Sequence, residues 1–201
     1  MAQKLKLILV RLTFPVLFEP RQMRNADGTM SAAKYSAGFV FAKDHPAKQL
    51  LVDAITAVAI EKWGEKATEI LRSLKAANKL CLHDGDEKSE YAGYPGNLFV
   101  NSSNTVRPMV VGGGPDGRSP ITAADGTIYS GCYVNGIIEV WAQQHPQHGK
   151  RINASLLGVQ FVEDGERLSG GSTATADDFD AIPVKAAQAA AAGGGAASFF
   201  Q

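Results

Sequence analysis

Residues 129–142, YSGCYVNGIIEVWA, alternate apolar and polar side chains with the period-two spacing of a strand that buries one face. Cys132, Val134, Ile138 and Val140 fall on one side and suit a core, whereas Tyr129, Tyr133, Asn135, Glu139 and Trp141 share the other. Aromatic rings among polar groups on a strand face suit a stacking platform for nucleic-acid bases, because every base presents a π-face. The same rings equally suit packing under a helix or a loop, since Tyr and Trp are largely buried on average.

Outward from this strand the chain reads as mostly β. A further strand is expected over 154–162, reached through a basic loop containing Lys150 and Arg151, and two more over 97–101 and 105–111. Residues 5–18 and 34–43 make another pair, with Tyr35, Ala37, Phe39 and Phe41 on one face. The turn-rich link between them carries Arg21, Arg24, Asn25, Asp27 and Gly28, so the pair reads as a long hairpin with a basic tip. The exception to β spacing is a helical pair over about 46–77. Asp44 can cap its start, Pro46 fits a first turn, and the stripe Leu50, Leu51, Ala54, Ile55, Val58, Ala59 is followed by Ala67, Ile70, Leu71 and Leu74. About five strands with one helical insertion predict an α+β, mainly β architecture in which a small barrel closes around the helices or stands beside them.

After Val162 the composition changes. Residues 163–201 hold six acids against two bases, and from Ala186 the chain is mostly Ala and Gly. Such a segment buries too little apolar surface to offset its ordering entropy, so a disordered tail is expected over 171–201 behind a folded domain of residues 1–170. The formal net charge of zero then divides into +4 over residues 1–162 and −4 over the remainder, and the first forty-three residues alone carry +5. Neutrality is therefore an average of a basic body and an acidic tail, and a polyanionic partner stays in play. Cys81 and Cys132 are too few for a disulfide framework or a four-cysteine zinc site. No apolar run approaches a membrane span, and Arg11 interrupts the apolar start, so an intracellular protein is expected.

Little in the chain assembles an active site. His83, Asp84, Asp86, Glu87 and Glu90 could gather a divalent cation for a nuclease, but they miss the calcium-loop spacing, and acids near a turn are usually solvated. Gly112, Gly113, Gly114, Pro115 and Asp116 lack the Lys-Ser/Thr of a phosphate-binding loop and read as a flexible turn. No enzyme, no cofactor and no metal are expected.

Four strings in order, LHDGDEKSEYAGYPGN (82–97), RPMVV (107–111), YSGCYVN (129–135) and SLLGVQFVEDGERLSGG (155–171), resemble a family of tailed-phage single-stranded-DNA-binding proteins, formerly a domain of unknown function. The resemblance spans roughly residues 4–171 and implies an OB-type barrel, here five-stranded, that coats single strands during phage DNA replication or recombination without sequence preference or catalysis. Interleaved cations and rings agree with it. Arg21, Arg24, Lys88, Arg107, Lys150 and Arg151 are expected on phosphates, and Tyr91, Tyr94, Phe99, Tyr133 and Trp141 on bases. In the tail, Asp177, Asp178, Phe179 and Asp180 are expected to recruit phage replication or recombination proteins or to compete for the basic groove. The implied location is the host cytoplasm, and both a monomer and a homodimer are compatible with it. The rival readings are a phage structural or adaptor protein that binds protein through the aromatic face, and a metal-dependent nuclease built on Asp84 and Asp86.

Overall fold

The computed structural model describes residues 2–24, 28–146 and 149–168. The expected domain division at residue 170 and the tail residues Asp177, Asp178, Phe179 and Asp180 lie outside the described residues. In chain order the elements are β1 (Gln3–Arg21), β2 (Lys34–Ala42), α1 (Ala47–Trp63), α2 (Ala67–Ala76), β3 (Leu82–Asp84), β4 (Asn97–Asn104), β5 (Met109–Gly113), β6 (Ser119–Pro120), β7 (Tyr133–His145) and β8 (Gly149–Glu163). They form one eight-stranded sheet of order β3-β4-β2-β1-β7-β8-β5-β6, antiparallel throughout except for the β5–β8 pair.

The expected five-stranded barrel is thereby corrected to an eight-stranded sheet with open hydrogen-bonding edges. Two strands that match no expected segment, β3 and β6, are three and two residues long and carry no periodicity to detect. The sheet nonetheless curls. β4 and β8 are not neighbours in the order, yet Asn104 Nδ2 donates to the Leu156 carbonyl at 3.0 Å.

The long strand β1 pairs with β2 along one edge and β7 along the other. Its register slips between Leu7 and Val10 against β7, and between Thr13 and Val16 and again between Val16 and Arg21 against β2. These slips are bulges, which bend a strand and tighten its twist. The alternation expected for residues 129–142 holds from Cys132, just before β7, onward: Cys132, Val134, Ile138 and Val140 are fully buried, and Tyr133, Asn135, Glu139 and Trp141 on the other side are half-buried. The link between β7 and β8 is shorter than expected, because both strands continue to a hairpin at His145 and Gly149.

The helical pair covers the core side. Leu51, Ala54, Ile55, Val58 and Ala59 of α1 and Ala67 and Leu74 of α2 join one apolar cluster with Leu7, Leu12, Phe39, Val100, Cys132 and Val134 of the sheet. Leu50, placed in the stripe by its spacing, is exposed. Asp44 does not cap α1; the His45 ring Nδ1 accepts from the Ala47 N–H at 3.1 Å instead. The helix stops at Gly64, whose φ of 57° suits a residue without Cβ. Burial pushes the Cys81 thiol up to about 12, consistent with an inert core cysteine.

Phe39 is, with Phe99, one of the two largest fully buried side chains among the described residues, and its ring lies over Gly136, where a Cβ would meet it at 2.7 Å. This contact locks β2 onto β7 across β1. Phe39→Ala is expected to lower the unfolding free energy by about 3–5 kcal/mol, and Gly136→Val to lower it by overpacking. Both should reduce the urea midpoint with m unchanged; wild-type midpoints in the two variants would refute this packing.

Candidate nucleic-acid interface

Cross-strand register places His83, Phe99, Val40, Arg11 and Tyr133 on one rung across β3, β4, β2, β1 and β7. Their chain neighbours Leu82, Val100, Phe39, Leu12 and Cys132 belong to the core, so alternation sends the rung to the face away from the helices. Arg11 lies over the Tyr133 ring at 5.6 Å and donates to the carbonyls of Gly131 and Glu166, which pins both side chains.

The loop from Gly85 to Gly96 folds onto this face. Tyr94 inserts beside Val40 and Phe99, and its hydroxyl shares a hydrogen bond with buried Thr13 Oγ1 at 3.0 Å. His83 stacks on Phe99 at 4.9 Å, and Tyr94 packs on the same ring at 4.9 Å. Burial holds the His83 imidazole below its ordinary value, so it is neutral near pH 7, with Nδ1 against Asn78 Oδ1. Towards solvent, Tyr91 meets Phe14 edge to face at 5.2 Å, and the Lys88 ammonium sits 5.9 Å from the Tyr91 ring and 5.2 Å from Phe99.

An exposed ionic clasp holds the ends of this loop. Lys43 Nζ pairs with Asp84 at 3.1 Å and Asp86 at 2.8 Å, and Asp86 Oδ1 accepts from the Gly96 N–H at 2.6 Å. Gly85 is required underneath: a Cβ there would lie 2.0 Å from the Tyr94 carbonyl oxygen. The Gly96 N–H, followed by Lys43, holds the Asp86 carboxyl below its usual range, and the two acids raise Lys43. Asp84 and Asp86 are thus engaged in shaping the loop, and among the described residues no group of three or more His, Cys, Asp or Glu is placed to hold a metal.

Where the curled sheet brings β4 towards β7 and β8 there is a polar groove of about 580 Å³. Trp141, Asn153 and Ser155 line one wall, Asn101 and Ser103 the other, with Lys34, Lys79, His83 and Arg151 around it. The Trp141 indole N–H donates to Ser155 Oγ at 3.0 Å, which fixes the plane of the ring. His83 belongs both to this groove and to the aromatic stack, so the two surfaces are continuous.

The expected site residues divide accordingly. Trp141 and Arg151 meet in the groove; Lys88 and Tyr91 meet on the folded-down loop. Burial corrects the expectation for Tyr94 and Phe99, which are 2% and 1% exposed and have no free face to offer a base. Lys150 does not line the groove and lies instead in a cleft with Glu69, Ser73 and Lys79 against α2. Arg107 is exposed in the link between β4 and β5, and Tyr133 is half covered by Arg11. Arg21 is exposed and stands opposite Lys34 on the β1–β2 pair, with Arg24 just beyond it. Like charges facing across strands repel, and a bound polyanion would relieve this. Tyr129 lies before β7 rather than on it and is bound through its hydroxyl to Asp164 and Gly165, with Arg167 over its ring at 4.2 Å. Sequence reasoning passed over Phe14, Lys34 and Lys79. The available signal for Phe14 was Pro15, which within a strand marks a bulge.

A family model described as the Enterobacter phage Enc34 ssDNA-binding protein matches residues 3–190. The protein p50 of Acyrthosiphon pisum secondary endosymbiont phage 1 is 44% identical over 183 residues, covering 88% of this chain and 92% of the relative. The solved structure of the single-stranded DNA-binding protein from bacteriophage Enc34 in complex with ssDNA superposes with a TM-score of 0.67 at 25% identity, over 83% of this chain and 89% of that one. The single-stranded DNA-binding protein gp2.5 of bacteriophage T7 superposes with a TM-score of 0.51 at 13% identity, over 90% and 98%, a likeness of fold alone.

The clasp has a pH signature. The folded Asp86 carboxyl titrates below its ordinary 3.8, so its contribution is complete above that value and is lost as pH falls through the folded pKa. Lys43 titrates above 10.5, so its contribution is complete below that value and is lost as pH rises through the folded pKa. Asp86→Asn should therefore flatten the acid limb of the stability curve relative to wild type, by a small, salt-screened amount. Superimposable acid limbs in urea titrations of the two proteins would refute the clasp.

Proposed function

The chain belongs to the Enterobacter phage Enc34 single-stranded-DNA-binding family, and on that premise we propose that it coats single-stranded DNA during phage DNA replication, without sequence preference and without catalysing a reaction. The observation that carries this reading at residue level is the groove between β4 and β7/β8, with cations and one fixed indole in the same cleft.

Each part of the groove has a task on a single strand. Lys34, Lys79 and Arg151 attract phosphates without reading sequence. Trp141 stacks on a base, a contact worth roughly 1–3 kcal/mol whichever base is present. Asn101, Ser103 and Asn153 offer donors and acceptors to base edges or sugars. Arg21 and Arg24 extend the basic track from Lys34 along the β1–β2 tip, and Lys88 with Tyr91 extends it past His83 on the other side. The described residues contain no helix long and apolar enough to cross a membrane, and we place the protein in the host cytoplasm, where phage DNA is copied. The acidic segment Asp177, Asp178, Phe179 and Asp180 is proposed to recruit replication or recombination proteins.

Binding to oligo(dT) should quench tryptophan fluorescence in wild type and not in Trp141→Phe. Affinity should fall steeply with salt, and Lys34→Ala or Arg151→Ala should each reduce the log-log slope by about 0.7. A salt-insensitive or undetectable affinity would sink the DNA reading in favour of a protein-binding adaptor, and degradation of labelled strand in magnesium would sink the non-catalytic one. Replacing Asp177, Asp178 and Asp180 with Asn should abolish pull-down of phage replication proteins; unchanged pull-downs would remove the partner role.

A further inference from the structure

Phe14 occupies a position that packing alone does not justify. It lies in the second bulge of β1, with φ at 45°, a left-handed conformation that Cβ makes costly for any residue but glycine. The residue is 53% exposed. A bulge that served only to bend the strand would be better filled by glycine, and an exposed phenylalanine lowers solubility. Leu9 in the first bulge carries the same two penalties, with φ at 52° and 44% exposure, so what sets Phe14 apart is the aromatic surroundings of its ring.

Those surroundings point to a ligand. Tyr91, 40% exposed, stands at 82° to the Phe14 ring with centroids 5.2 Å apart, so the rings form two walls of a corner. Lys88 Nζ lies 5.9 Å from the Tyr91 ring at the rim. The floor is rigid: Tyr94 and Phe99 beneath are buried, and the Tyr94 hydroxyl is tied to Thr13, the residue before Phe14. A flat aromatic ligand with an anionic attachment fits such a corner.

We propose that Phe14 and Tyr91 form a stacking corner for an unpaired nucleobase, separate from the Trp141 groove, with Lys88 on the adjoining phosphate. This rests on the single-strand-binding reading above. His83, which packs under the corner through Phe99 and also lines the groove, makes the two contacts stations on one bound strand. The bulge is the device that turns the Phe14 ring out of the sheet, and the strained backbone is the consequence.

The test uses the full chain and two ligands with equal numbers of phosphates, oligo(dT) and an abasic strand. Phe14→Ala and Tyr91→Ala should each weaken oligo(dT) binding by roughly 5- to 150-fold, leaving abasic-strand affinity and the salt slope at wild-type values. Phe14→Gly should show the same loss while its urea midpoint holds or rises, since glycine accepts the left-handed position. Wild-type affinity for oligo(dT) in the Phe14 variants would overturn the corner, as would equal losses on the two strands, which would mark Phe14 as structural. Wild-type protein that binds neither strand would instead overturn the reading on which the corner rests.

Discussion

Strand β1 has to satisfy hydrogen bonds on two sides at once, against β2 and against β7, while keeping Leu7, Val10, Leu12 and Leu17 in the core. A regular strand of nineteen residues cannot hold both registers as the sheet curls. The register shifts along β1 resolve the conflict by releasing one register before the next begins. Everything beyond depends on that release. The curl brings β4 to β8, opens the groove between them, and leaves Leu9 and Phe14 as the non-glycine residues of β1 with positive φ.

The outer face acquires its character from one loop. Without residues 85–96, Phe99, Val40 and Thr13 would form an exposed apolar strip on the side away from the helices. Tyr94 covers that strip, and Lys43 with Asp84 and Asp86 holds the cover by its ends. The energetics are divided: the buried rings supply the apolar contribution, and the exposed ion pairs set position at little net gain. A preorganised surface results, since the side chains presented to solvent are supported by others that cannot move.

Charge follows the same logic. The cations around the groove come from the start of β2, the link after α2 and the start of β8, segments far apart in the chain. None of these stretches is a basic run. Their convergence gives a local positive site in a molecule whose formal charge sums to zero, so field and net charge carry different information.

The period-two pattern of residues 129–142, the stripes of α1 and α2 and the alternation in β2 determined the core and the mainly β class, because burial of one face imposes a period that side-chain chemistry must obey. The strings at 82–97 and 129–135 carried the family resemblance directly. What periodicity could not convey was which rings stay open. Tyr91 and Tyr94 are three residues apart in one loop, and one is exposed and the other buried because Tyr94 alone reaches Thr13. Lys150 and Arg151 are adjacent and face opposite sides, because β8 runs through them and alternates. Phe14 belongs to the apolar stretch 5–18, whose spacing did not show that a bulge turns this residue outward. Local sequence sets what a residue can do; the curl of the sheet and the fold of one loop decided which residues share a surface, because those contacts join segments that no local pattern connects.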